Sequence, residues 1–526
     1  MKKFLEKYAA LFLALLLISA VCFLFAGRKE GMFIDEIYTY GLANGYYTPF
    51  VTDIKGGDVI DQVISRQELF DYMTVGEDDG FAFASVYYNQ TQDVHPPLYY
   101  WLLNMASSLT PGVFSKWTGI VLDYIIYMLT LVVLFALTKE LTASRTAGVV
   151  TVLLYGLSTV GLSTMLMIRM YVLLTLLTVF LAYCVAKLLH GGAWIWRILA
   201  GLSIFAGLLT QYYFVFYAFF LCAFYVFYLL FKKDFKGILY FALCAFAGVA
   251  AFILAFPACF DQLFADALVS GGNALENAKT LSQYPERIGI FLADTRHRTK
   301  GIVIAAAVML VLCVLHLKAF SEALTEKRLP LEGLIILLPA LITFFLVAII
   351  SPVTEIRYVY NIMPFFGLAA GLILGWVYAS DGENIQPKAK MYMLLFIAAL
   401  ALFEARAVAP DYLYDEYSDY DAMLAPYAST PCVYFNDNYR APLTYDLLQL
   451  MIFDDFIVVN DADSPALSEY MGGSGEAVVF IDNSAYWSSG YVNEDILAGL
   501  EDGPGYRADR LLYSNGFSSV YLVVED

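Results

Sequence analysis

Apolar residues in this chain are gathered into long runs rather than spread at helical or strand spacing. Such runs occupy about 8–26, 117–138, 146–165, 168–189, 195–211, 213–231, 236–256, 300–318, 331–351, 358–378 and 389–408. Each is near the ~20 residues that a helix needs to cross about 30 Å of hydrocarbon. The pattern predicts eleven transmembrane helices. The first run follows a lysine-bearing start, MKKFLEKY, as the start of a signal peptide also would. Phe23, Leu24 and Phe25, however, stand where a cleavage site would need small residues, so this run is expected to remain as a helix.

Two polar regions interrupt the series. Residues 27–115 form a long first loop rich in aspartate, glycine and tyrosine, and its aromatic segment 96–109 is too short for a span. It reads as a helix lying at the membrane interface, where Tyr and Trp keep a wet tip on an apolar body. After Ala409 the chain turns acidic and tyrosine-rich, with short strand-like runs CVYF (432–435), FIVVN (456–460), EAVVFIDN (476–483) and SVYLVV (519–524) between turn-rich stretches. The expected fold class is therefore an all-α polytopic membrane domain over 1–409, including the first loop, followed by a small α/β domain over 410–526. That tail holds no phosphate-binding glycine loop, CxxC pair or nucleophile elbow, so a binding role is expected of it.

Composition agrees with this reading. The chain is 60% hydrophobic and 15% charged, with a mean hydropathy of +0.65. Its net charge of −18 offers no basic surface to displace counterions, which argues against nucleic acid as a partner. Six of the seven cysteines lie in or beside apolar runs and only Cys432 is in the tail, so no disulfide framework is expected. Charge also orients the chain. With the N-terminus cytoplasmic, the inside segments carry fifteen of the 31 Lys and Arg against eight acids, a net of +7 that leaves −25 elsewhere. The first loop, the 257–299 loop and the tail then fall outside the cell, and eleven spans put the C-terminus there too.

Candidate chemistry clusters near that outer face. Asp35 and Glu36, in FIDEIYTYG, follow the first span by less than three turns. A carboxylate in a partly dry cleft there can act as general base toward an acceptor hydroxyl or amine, the alternative being a solvated acidic pair. In DVHPPLYYWLL, His95 precedes two prolines that fix the backbone and start a helix; with Asp93 it can bind a cation or orient a phosphate, or simply cap that helix. Asp93 and His95 are thus the candidate ligands of a divalent cation, although four histidines are too few for an extended metal cluster. Arg169 and Arg357 stand at outer ends of apolar runs, where a guanidinium fork suits a phosphate, and Asp123 inside the second span is a candidate partner for one of them. Arg296, Arg298 and Lys300, in TRHRTK, are read instead as contacts with lipid headgroups.

Taken together, the Asp-Glu pair after the first span, HPPLYYWLL (95–103), RMY (169–171), TQYYFVF (210–216) and IRYVYNIMP (356–364) resemble the GT-C membrane glycosyltransferases. Within them the chain resembles the protein O-mannosyltransferase and lipid A aminoarabinose transferase group, over most of residues 1–408. The resemblance implies transfer of a sugar from a polyprenyl-phosphate donor to an acceptor at the outer face of the cell membrane. It makes Asp35 the catalytic carboxylate with Glu36 its neighbour, and places His95 with Asp93 at the acceptor or cation site. Arg169 and Arg357 become ligands of the carrier phosphate, with Tyr99, Tyr171 and Tyr358 as substrate-binding neighbours. The tail differs from the sugar-binding trefoil of other members and leaves the acceptor unassigned. The competing classes are a multi-span transporter, which would place ionisable residues at the midplane of broken helices, and a non-catalytic protein of cell-envelope polymer assembly.

Overall fold

Without water, a backbone in hydrocarbon satisfies its N–H and C=O groups only within a helix or a closed barrel, and the long apolar runs of this chain are helical. The computed structural model describes residues 2–264, 276–304, 307, 331–380, 387–483 and 490–525. Among the described residues, seven helices are long and apolar enough to cross a membrane: Tyr8–Arg28, Lys116–Thr142, Tyr171–Leu189, Phe214–Phe231, Phe235–Ala255, Leu331–Ile350 and Ile356–Gly375. An eighth crossing is made if Arg145–Gly156 and Thr159–Leu166, bent by 64° at a short break, count as one. Ser158 makes that break, its hydroxyl accepting the N–H of Gly161 at 3.1 Å as a helix cap. Of the other expected spans, 195–211 is a helix of 14 residues, Ile195–Leu208. The last is the helix Pro387–Ala407, and 300–318 lies largely outside the described residues.

The chain divides into two compact units. The first, Met1–Gly27, Val94–Tyr99 and Ile120–Asp411, holds most of the long helices. Its helix Tyr171–Leu189 is largely buried among neighbours, whereas Phe235–Ala255 leaves Phe246 and Leu254 73% and 82% exposed, as a lipid-facing surface requires. Two glycines set one close crossing: a Cβ on Gly201 would meet the Cys244 carbonyl at 2.4 Å, and one on Gly248 the Gly201 carbonyl at 2.3 Å. Small residues therefore let Ile195–Leu208 and Phe235–Ala255 approach backbone to backbone.

The second unit comprises Arg28–Asp93, Tyr100–Gly119 and Tyr412–Asp526. Its centre is a six-stranded sheet of β1 (Gln62–Ser65), β2 (Cys432–Phe435), β3 (Asp455–Val459), β4 (Glu476–Asp482), β5 (Tyr506–Ser514) and β6 (Ser518–Glu525), in the order β1-β3-β2-β4-β6-β5. Strands β3, β2 and β4 run parallel, joined by helical crossovers, and the remaining pairings are antiparallel. Val433, Phe435, Ile457, Val459, Val479 and Ile481 fill the core on one face, which is why the central strands read as continuous apolar runs. The edge strand β1 comes from the first loop and pairs antiparallel with β3. The first loop and the tail thus share one sheet, whereas the sequence groups that loop with the membrane helices.

Candidate active site

The loop helix Ile34–Asn44 carries the Asp-Glu pair within its first turn. Adjacent residues on a helix point about 100° apart, so the two carboxylates face different surroundings. Glu36 turns inward: its carboxylate accepts from Lys29 Nζ at 2.9 Å, and both side chains are 0% exposed. It also accepts the Phe33 N–H at 2.6 Å, which caps the helix. Lys29 donates in addition to the Tyr412 carbonyl at 2.7 Å and lies 5.7 Å from the centre of the Tyr414 ring. The structure therefore commits Glu36 to a buried ion pair that anchors the helix, a different place from the acid-base neighbour expected of it.

Asp35 is half-buried on another side of the helix. One turn on, the phenol of Tyr38 is pushed up to about 12, above all by burial. The charges of Asp35 and Asp93 add to that rise, while Thr444 and Arg440 oppose it. One phenol thus feels the charge of both expected carboxylates. Asp93 itself ends the helix Phe83–Gln92, two residues before His95 in the chain. Among the described residues, no group of three or more His, Cys, Asp or Glu is arranged to hold a metal ion.

In the helical unit, Tyr99 and Asp123 are joined by a buried hydrogen bond, the phenol donating to Oδ1 at 2.7 Å. The contact described for Asp123 is thus with a tyrosine. Arg169 is buried in the break between Thr159–Leu166 and Tyr171–Leu189. The ring of Tyr171 meets Tyr358 edge-on at 6.4 Å and Tyr360 at 6.2 Å, and Tyr213 meets Tyr358 at 5.6 Å. The guanidinium of buried Arg357 lies 5.3 Å from the Tyr358 ring and pairs with Glu355. Three separated motifs, RMY, TQYYFVF and IRYVYNIMP, thus meet in one aromatic cluster beside Arg357. The 3₁₀ turn Ile356–Ile362 that presents these residues leads into the helix Pro364–Ser380, whose first position suits a proline because its missing N–H would have no partner there. Arg298 sits elsewhere, gripping Asp411 with two bonds of 2.7 and 3.1 Å and pairing with Asp294 at 3.2 Å; this is an intramolecular role rather than a lipid contact.

Sequence reasoning passed over Lys29, Tyr38, Tyr213 and Tyr360. The two later tyrosines lie inside motifs already singled out, and Tyr38 is signalled by its spacing of three from Asp35. Lys29 gave no such signal, because a cation after an apolar span ordinarily faces water or headgroups.

Comparison with known proteins follows the same lines. Residues 94–259 match the family model described as dolichyl-phosphate-mannose-protein mannosyltransferase. No curated protein sequence matches the chain. In structure the chain is similar to ArnT from Cupriavidus metallidurans bound to undecaprenyl phosphate, at 12% identity and a TM-score of 0.51, with 98% of each chain covered. It also matches the oligosaccharyltransferase of Archaeoglobus fulgidus in the apo form at 12% identity and a TM-score of 0.43, over 78% of this chain and 66% of that one. The chain therefore has the fold of the GT-C membrane glycosyltransferases and, within them, resembles the group of ArnT and the protein O-mannosyltransferases.

Proposed function

We propose that this protein moves a sugar from a polyprenyl-phosphate-linked donor to a hydroxyl- or amine-bearing acceptor at the extracytoplasmic face of the membrane. In this reading the chain crosses the membrane eleven times, with the N-terminus inside and the tail outside. The observation that carries it is the setting of Asp35, half-buried on a helix anchored by the Lys29–Glu36 pair, where its charge and that of Asp93 act on one phenol, Tyr38. Support comes also from the fold shared with ArnT, which was captured with undecaprenyl phosphate.

The chemistry is modest, since a sugar on a lipid phosphate already has a good leaving group. The acceptor atom bonds to the anomeric carbon as the bond from that carbon to the phosphate oxygen breaks. The electron pair leaves with polyprenyl phosphate, and Asp35 takes the acceptor proton. Glu36 acts through Lys29 by fixing the helix, and so positions Asp35 rather than touching substrate. Arg169 and Arg357 hold the carrier phosphate and stabilise the charge it gains, while Tyr99, Tyr171 and Tyr358 shape the donor site. Asp93 and His95 orient the acceptor. Asp35→Asn keeps the volume and removes the base, so loss of sugar transfer from an intact, inserted protein tests the assignment.

A further inference from the structure

We propose that the guanidinium of Arg440, held flat on Phe50 beside the face of the helix Ile34–Asn44 that carries Asp35, binds a phosphate group of the substrate. The placement follows a continuous chain of contacts within the second unit. Arg440 Cζ lies 3.7 Å from the centre of the Phe50 ring. Phe50 meets Tyr38 edge-on at 6.3 Å and 88°, and Tyr38 stands three residues, about one turn, from Asp35. On the same short helix, the Thr444 hydroxyl donates to the Arg440 carbonyl at 2.7 Å, and the charge of Arg440 opposes the rise of the Tyr38 phenol.

A guanidinium stacked on a ring keeps its edge N–H groups in a fixed plane, ready for two parallel bonds to an anion. Four cations of this unit are ion-paired: Lys29 with Glu36, Lys55 with Glu68, Arg28 with Asp415 and Arg66 with Asp454. Arg440 is exposed and has no ion-pair partner among the described residues. The acids nearest this site serve other purposes. Asp53 caps its turn by accepting the Phe50 N–H at 3.0 Å, while the charges of Asp35 and Asp93 act on Tyr38. A substrate phosphate approaching those carboxylates would be repelled without a local cation, and in a chain of net charge −18 Arg440 supplies one. Naming a phosphate as the anion rests on the glycosyl-transfer reading, and either the lipid donor or the acceptor can bring it.

The test uses the full chain in nanodiscs. Affinity is measured for a polyprenyl phosphate incorporated in the disc and, separately, for soluble inorganic phosphate, with Arg440→Gln, Arg440→Lys and Phe50→Leu beside the wild type. A charge-assisted pair of bonds predicts that Arg440→Gln weakens binding about 10–100-fold. Arg440→Lys and Phe50→Leu, which keep the charge and lose the fork or its platform, should fall between. Weakening confined to the lipid assigns the site to the donor, and weakening confined to the soluble ion assigns it to the acceptor; either supports the proposal. Unchanged affinity for both, or no phosphate binding by the wild type, overturns it. Asp35→Asn in the same discs separates the two ideas: lost transfer with phosphate binding indifferent to Arg440 leaves the glycosyltransferase standing and removes this site.

Discussion

Replacing Lys29 by methionine would leave Glu36 without its cationic partner in a fully buried site. Both side chains are 0% exposed and 2.9 Å apart, so the loss of one partner should cost about 3–5 kcal/mol, the usual consequence of stranding a buried charge. Removing both charges is different. Lys29→Met with Glu36→Leu restores an apolar interior and forfeits mainly the cap that Glu36 makes to the Phe33 N–H, worth about 1 kcal/mol. The double variant should therefore lie ~1–2 kcal/mol below wild type, well above the single one, and the cycle should show coupling of a few kcal/mol. The assay is the fraction of full-length protein that survives heating in detergent, read by size exclusion and paired with sugar-transfer rate. If Glu36 only positions Asp35, the double variant regains most of its activity along with its stability. A stable but inactive double variant would make Glu36 itself catalytic, and a Lys29→Met protein as stable as wild type would refute the buried-pair argument.

Arg169→Ala and Arg357→Ala should raise donor KM and lower kcat, with the lysine variants less affected because they keep charge but lose the fork. Arg298→Ala serves as control: it should leave donor kinetics unchanged yet lower heat stability, since it loses both bonds to Asp411. Cysteine-accessibility labelling should find Ser474 outside and Lys233 inside, and both on one side would refute the proposed topology. Asp446 gives a pH signature. It accepts from Tyr434, Ser518 and Asn515, yet its carboxyl is pushed up to about 6 from 3.8, chiefly by burial, with those donors opposing. The folded state then holds a proton that the unfolded chain releases, so stability present below pH ~4 is lost as pH rises through about 6, by ~3 kcal/mol. Asp446→Asn should flatten that slope in heat-survival curves between pH 4 and 7.

What the sequence made legible follows from burial. β2, β3, β4 and β6 are rich in Val, Ile, Phe and Tyr because all four are interior strands of the sheet and mostly buried, and all four were visible as apolar runs. β1 (QVIS) and β5 (YRADRLLYS) are the two edges of the sheet. β5 is mostly exposed and carries Arg507, Asp509 and Arg510, charges that suit an edge and erase the strand signal. Missing β1 concealed that the first loop belongs to the tail's sheet. Seven long helices were legible by length, whereas the expected span 195–211 is a helix of only 14 residues, and the break before Thr159–Leu166 was concealed because Ser158, which caps it, sits in a continuous apolar run. In the site, Asp35, Asp93, Arg357 and the aromatic motifs stood out by residue type. The pairing of Lys29 with Glu36 and Tyr412, and the stacking of Arg440 on Phe50, join residues hundreds of positions apart or lie in unremarkable sequence, so only the fold reveals them.

The central claim is that Asp35 is the base of a sugar transfer, and cell-surface chemistry tests it most directly. Cells lacking the gene are complemented with wild type or with Asp35→Asn at matched membrane expression, and surface glycans are followed by mass spectrometry along with transfer rate in isolated membranes. The account predicts that the wild type restores a sugar missing from the deletion strain, while Asp35→Asn lowers the rate by roughly 10²–10⁴-fold, the usual contribution of general-base catalysis. Near-normal transfer by well-expressed Asp35→Asn would contradict it.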